Sequence, residues 1–188
     1  MKKTLLAIAL IAIAVVSRFV EAAPNFTAVL AVALFAGAYL GGVRGTLVAF
    51  GSMAFSDTLW MYYHPGQYHF GIVAGIDYLA VILVMVIGMA LTMHGKEIGG
   101  KKVVPLSLAG SLAGSIAFFL ISNFGVWAAS GMYPITWNGL VACYVAAVPF
   151  FGNTFLSTFA YSFVLFAAYE VALKAIRGFR LTREIMYN

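Results

Sequence analysis

Residues 70–93 of the chain are FGIVAGIDYLAVILVMVIGMALTM, an apolar stretch in which Asp77 is the only charged residue. Crossing a hydrocarbon core about 30 Å thick takes about 20 apolar residues in a helix, so this stretch is long enough to span a membrane. Lipid offers no hydrogen-bond partners to the backbone, and a single segment satisfies its own N–H and C=O groups only as a helix. The stretch therefore predicts a transmembrane helix.

The rest of the chain repeats this pattern around short polar breaks. Hydrophobic residues make up 63% of the 188 residues and charged residues only 9%, which is too apolar for a water-facing surface. A short apolar run, Gly139–Phe150, cannot cross a bilayer and contains Pro149, so we expect it to end there as a half-helix at one face. The remaining apolar segments are Thr4–Val16, Phe26–Gly42, Thr46–Tyr63, Val103–Trp127 and Asn153–Ile176.

These segments predict an all-α fold: one integral membrane domain over residues 1–188, built as a polytopic helical bundle of about six transmembrane helices plus an outer half-helix. Two stripes of small residues, Ala33-Gly37-Gly41 and Gly110-Gly114, predict positions where helices pack closely.

The positive-inside rule gives the bundle an orientation. If the N-terminus is cytoplasmic, ten of the eleven Lys and Arg residues lie inside and only Arg18 lies outside. We therefore expect both termini to lie in the cytoplasm, which is an N-in/C-in topology. A cleaved secretory signal over residues 1–22 is an alternative, because Lys2-Lys3, an apolar run and Glu21-Ala22 precede Ala23. Arg18, between the apolar run and that cleavage site, favours retention.

With this orientation, polar and aromatic side chains gather on the outer side. An interfacial aromatic belt would appear at both membrane faces, whereas this set is nearly one-sided. We expect an outward-facing polar and aromatic pocket. Its candidate substrate-binding residues are Arg18, Asn25, Asp57, Trp60, His64, His69, Asp77, Asn123, Trp127, Asn138 and Asn153.

Two of these candidates, Asp57 and Asp77, are acids inside predicted helices. Carboxylates within a membrane are costly and face a cavity or a partner. Two roles stay open for them: a structural ion pair with Arg18, or contact with a ligand. Asn123 has the same two alternatives, as an interhelical hydrogen-bonding group or as part of the pocket wall.

Motifs for several other chemistries are missing from the sequence. It contains no Gly-rich phosphate loop, no H-E-x-x-H and no G-x-S-x-G. His64 and His69, downstream of Asp57, are zinc-ligand types, but they lie in a Pro-Gly loop rather than on one helical face. We expect no metal, no cofactor and no enzyme activity. The basic residues form short clusters between apolar runs, as orientation signals do, so no nucleic-acid partner is expected either.

Several motifs resemble an uncharacterised family of small bacterial integral membrane proteins. They are Pro24-Asn25-Phe26-Thr27, Asn123-Phe124-Gly125-Val126-Trp127, Tyr133-Pro134 and Pro149-Phe150-Phe151-Gly152-Asn153. In size, six-helix layout and outward pocket, the chain is also similar in architecture to the S components of energy-coupling-factor (ECF) transporters. It departs from their pattern in the first helix, where Ala7, Ala9, Ala12 and Ala14 do not recur every fourth residue.

The second resemblance implies a function. The expected protein is a substrate-binding, S-component-like subunit of an ECF-type importer that captures a vitamin or related micronutrient. The lipid bilayer, the small-molecule ligand, and an ECF coupling subunit with ATPases are the expected partners. Two alternatives come from other classes: an accessory or structural subunit of a larger membrane complex, and an integral membrane enzyme acting on an envelope substrate.

Overall fold

The computed structural model describes residues 2–20, 23–66, 71–92 and 102–187; for Lys2, Val103 and residues 177–187 it describes only the backbone. The predicted pocket residue His69 lies outside this range. The described residues contain no strand, which confirms the all-α prediction. Their six helices are α1 Lys2–Phe19, α2 Val29–Tyr39, α3 Gly42–Tyr63, α4 Ile72–Thr92, α5 Val103–Ala129 and α6 Trp137–Tyr187.

Helix α2 lies at the centre of the bundle and packs against each of the other five described helices. Every residue of Val29–Gly37 is buried, and the helix is apolar all the way round. An apolar helix without a polar face belongs in the interior. Its 11 residues rise roughly 16 Å, about half the thickness of a bilayer core. The predicted span Phe26–Gly42 is therefore a short, buried core helix.

Two glycines bring the backbones of α2 and α4 into direct contact. A Cβ atom added to Gly37 of α2 would overlap the carbonyl oxygen of Met85, and one added to Gly88 of α4 would overlap the carbonyl oxygen of Leu34. Small residues let membrane helices approach this closely. Gly110 and Gly114 of α5 likewise face the side chain of Leu34. Gly37, Gly110 and Gly114 thus mark close helix packing, as the sequence predicts, whereas Gly41 lies in the turn between α2 and α3 with a φ of 58°.

Large apolar side chains point outward while small and hydroxyl side chains point inward. On α5, Leu108, Leu112, Ile116, Leu120 and Phe124 are exposed at every fourth position. The opposite face of the same helix carries buried residues: Ser107, Gly110, Ser111, Gly114 and Ser115. Lipid is a suitable solvent for such an outer surface, and water is not.

Three of the described helices are long and apolar enough to cross a membrane: Ile72–Thr92, Val104–Ala129 and the Trp137–Ile176 part of α6. This agrees with the prediction of a helical membrane protein. The sequence predicted about six such spans, and α2 is among those that are too short.

The predicted half-helix Gly139–Phe150 is wrong, because α6 continues through Pro149. Proline frees the carbonyl of the residue four positions earlier and bends a helix, but it does not have to end one in a membrane protein. Here α5 packs on both sides of the proline. The Tyr144 hydroxyl donates to the Leu120 carbonyl at 2.6 Å, and the Phe151 ring lies 5.3 Å from that of Phe119. These contacts hold both halves against one partner.

The backbone contact between α2 and α4 yields a stability prediction. Gly88→Ala should lower the free energy of unfolding by about 1–3 kcal/mol, the usual cost of overpacking, because the added Cβ meets backbone atoms that have no room to move. Gly75→Ala is the matched control on the same helix, since a Cβ there meets nothing within 4 Å. It should be neutral or stabilising by up to about 1 kcal/mol. Unfolding of both variants in detergent measures the difference, and equal stabilities would contradict the close contact.

Candidate functional site

A tight turn at residues 23–26 places Asn25 at the start of α2. The Phe26 N–H donates to the Ala23 carbonyl at 3.0 Å, and Asn25 has a φ of 62°. Proline at the second position and positive φ at the third are the marks of a type II turn, which favours Gly or Asn there. The Asn153 side-chain amide of α6 donates to the Pro24 carbonyl at 3.0 Å and holds the turn in place. We refer to this end of the bundle as the Pro24 end.

Three adjoining cavities surround this turn, with volumes of about 190, 270 and 460 Å³. Asn25 lines all three of them. Asp77 lines the two smaller cavities, and Arg18 and Thr27 line the first and the largest. Because they share these residues, the three cavities are neighbours, and we name them together the Asn25 pocket. It lies between the buried start of α2 and the Pro24 end of the bundle.

Asp77 brings a carboxylate to the wall of this pocket. It lies in the second turn of α4 and is only half-buried, yet its Oδ1 atom is buried and has no hydrogen-bond partner among the described residues. Phe118 of α5 and Thr154 of α6 line the same two cavities as Asp77. Unpartnered polar atoms of this kind occur at native sites that bind a ligand, ion or water.

The other acid, Asp57, is occupied by an ion pair. Its side chain is fully buried, and its Oδ1 lies 2.5 Å from Nη1 of Arg18. The same nitrogen donates to the Ser56 hydroxyl at 2.8 Å. This pair joins the end of α1 to α3. It resolves the two roles that the sequence left open: Asp57 is the structural partner of Arg18, and Asp77 faces the cavity.

The other predicted pocket residues divide between lining the pocket and supporting it. Trp60 lines the largest cavity and stacks on His64, with ring centroids 4.2 Å apart. Asn123 lines the 270 Å³ cavity while its amide donates to the Phe119 carbonyl at 2.8 Å. The Trp127 indole N–H instead donates to the Pro134 carbonyl at 3.1 Å. Five described candidates are not among the residues lining the pocket: Asp57, His64, Trp127, Asn138, which is exposed, and Asn153, which holds the turn.

Several lining residues were not predicted. Thr154, Ser157 and Thr158 of α6 line the 190 Å³ cavity, and Phe118, Phe119, Phe150 and Phe151 line the 270 Å³ cavity with Ser122. The spacing of the α6 hydroxyls, at positions i, i+3 and i+4, places them on one face of a helix, so the sequence did carry a signal for them. The phenylalanines carried none, because lipid-facing helices are also rich in them.

The described residues hold no cluster of three or more His, Cys, Asp or Glu side chains that could bind a metal ion. Within that part of the chain, the charged groups beside the pocket are Arg18, its partner Asp57 and Asp77. The pocket therefore combines one free carboxylate, several amides and hydroxyls, and aromatic rings. Such a lining suits reversible binding of a small molecule.

The Arg18–Asp57 pair can be tested by a double-mutant cycle. Arg18→Gln should destabilise the protein by about 3–5 kcal/mol, because it leaves Asp57 buried without a counter-charge. The same substitution should cost far less in an Asp57→Asn background. Lys174→Gln serves as the control, since Lys174 is an exposed partner of Glu170 and such pairs contribute about 0–1 kcal/mol. Unfolding in detergent measures all four variants; equal costs of Arg18→Gln in both backgrounds would contradict the pairing.

Comparison with known proteins identifies a family without assigning an activity. No curated protein and no solved structure matches the chain. One family model matches residues 1–179, nearly the whole chain, and it is described as a family of unknown function, DUF6580. The resemblance to an uncharacterised family is thereby confirmed: the chain belongs to DUF6580.

Proposed function

We propose that the chain is a substrate-binding, S-component-like subunit of an ECF-type importer in a bacterial cytoplasmic membrane. It captures a vitamin or related micronutrient in the Asn25 pocket, with the Pro24 end facing outward and both termini in the cytoplasm. The observation that carries the proposal is the group of adjoining cavities at one end of an apolar bundle, lined by Asn25 and by Asp77, whose buried Oδ1 has no hydrogen-bond partner among the described residues.

The size of the pocket supports capture of a small molecule. Its largest cavity, about 460 Å³, lies within the roughly 300–1,000 Å³ range of small-molecule sites. The aromatic rings and amides of the lining provide both stacking surfaces and directional hydrogen bonds. A ligand of the size of a vitamin ring system fits such a space.

The ends of the helices support the proposed orientation. Lys3, Arg44 and Lys102 stand at the starts of α1, α3 and α5, and Lys174 lies toward the end of α6. All four positions are at the end of the bundle opposite to Pro24. The positive-inside rule assigns that end to the cytoplasm. The proposed import subunit needs separate ATPases, since the sequence has no phosphate-binding loop of its own.

Native mass spectrometry of protein solubilised in mild detergent tests this function against its alternatives. If the chain is an import subunit, a small molecule should remain bound to it and should dissociate when the ions are activated in the mass spectrometer. A co-purifying complex without ATPases would favour an accessory or structural subunit. An envelope precursor converted during incubation would favour a membrane enzyme. Protein with no bound small molecule, whose cavities are closed in an experimental structure, would overturn the proposal.

Two variants connect the bound molecule to the pocket. Asn25→Gly keeps a residue suited to positive φ while removing the amide, so the turn should form and ligand retention should fall by about tenfold. Asp77→Asn should lower retention without lowering expression. Glu170→Gln, which removes a carboxylate from the other end of α6, is the control and should retain the ligand. If Asn25→Gly and Asp77→Asn retain ligand as the control does, the ligand lies elsewhere.

A further inference from the structure

The Asn25 pocket carries an uncompensated negative charge. Of the described residues that line its cavities, only Arg18 and Asp77 are charged. The guanidinium of Arg18 is already paired with Asp57, so its charge is cancelled within the protein. With both acids ionised, the net charge of this group of three is negative by one unit.

The geometry of Asp77 leaves that charge available to a ligand. The Asp77 residue lines cavities of about 190 and 270 Å³, and its buried Oδ1 atom accepts no hydrogen bond from the described residues. An acid placed among apolar helices is costly without a partner. A cation in the pocket would supply both the missing counter-charge and the missing hydrogen-bond donor.

The remainder of the 270 Å³ cavity favours an organic cation over a bare metal ion. Four rings, those of Phe118, Phe119, Phe150 and Phe151, share this cavity with Asp77. Aromatic faces attract organic cations and also bury the apolar part of such a molecule. Asn25, Ser122 and Asn123 add neutral hydrogen-bonding groups to the same wall. Hard metal ions would need more oxygen ligands than one carboxylate supplies.

We propose that the Asn25 pocket selects a small organic cation, such as an ammonium, an amidinium or a positively charged heteroaromatic ring. The positive group lies against the carboxylate of Asp77, and the apolar body lies among the four phenylalanine rings. The inference rests on the proposed function and names the substrate class of the same site.

The test compares probes that share a phenyl ring and differ in charge. Benzylammonium, benzyl alcohol and benzoate are titrated against the full chain in an uncharged detergent, with thermal unfolding as the readout, because a ligand that binds only the folded state raises the Tm. Benzylammonium should bind most tightly. Its Kd should rise by at least about tenfold in Asp77→Asn, which loses a charged hydrogen bond. It should not change in Glu170→Gln.

A second variant keeps the test decisive if Asp77→Asn does not fold. Phe150→Leu preserves an apolar side chain but removes a ring from the cavity, so it should weaken benzylammonium several-fold while leaving benzyl alcohol nearly unaffected. The charge series on the unaltered chain is informative in any case. Equal binding of the three probes, or a preference for benzoate, would overturn the cation inference.

The two proposals fail in different ways. If a neutral or anionic small molecule co-purifies and benzylammonium does not displace it, the cation inference is wrong and the capture function stands. If no small molecule co-purifies and none of the three probes raises the Tm, both are wrong.

Discussion

Helix α2 packs so closely on α4 that carbonyl oxygens occupy the places where Gly37 and Gly88 would carry side chains. This contact allows an apolar helix of 11 residues to lie entirely inside the bundle, surrounded by the other helices. Because α2 is shorter than its neighbours, it leaves space at the Pro24 end that it does not fill. The turn at 23–26 reaches across that space, and the Asn25 pocket is what remains.

The helices that surround this space determine which charged side chains at the Pro24 end are paired and which one lines the pocket. Arg18 lies in the last turn of α1, beside α3, where it forms an ion pair with the fully buried Asp57. Removal of residues 1–22 would therefore leave Asp57 without the partner that it has in this structure. Asp77 is the acid that remains exposed to the cavity, at the level where α5 and α6 contribute Phe118 and Thr154. Their neighbours thus place one of two similar acids in a buried ion pair and the other at the wall of a cavity.

Long apolar runs and their polar breaks were sufficient to predict a helical membrane protein, because each helix satisfies its own backbone in lipid. Asp77 was found because a polar group in an apolar segment needs a partner or a cavity, and Asn25 because polar residues gather on the side predicted to face outward. Tertiary packing decided the rest. Pro149 predicts a helix end, but α5 holds both sides of it in one helix. Likewise, the apolar run of α2 does not reveal whether protein or lipid surrounds the helix. The hydroxyl groups of α6 line the pocket only because packing turns that face of the helix toward it.

Cysteine accessibility tests most directly whether the space above α2 is open to the outside of the cell. Cys143 is the only cysteine of the chain, and Cys143→Ser keeps a donor for the Asn123 carbonyl that it contacts. In that background, Ser122→Cys places a thiol in the 270 Å³ cavity, while Ser115→Cys places one at a fully buried position about two turns deeper on the same helix. A membrane-impermeant thiol reagent added to intact cells should modify the first and not the second. Modification of Ser122→Cys only from the cytoplasmic side, or equal reaction of both thiols, would contradict an outward-facing pocket.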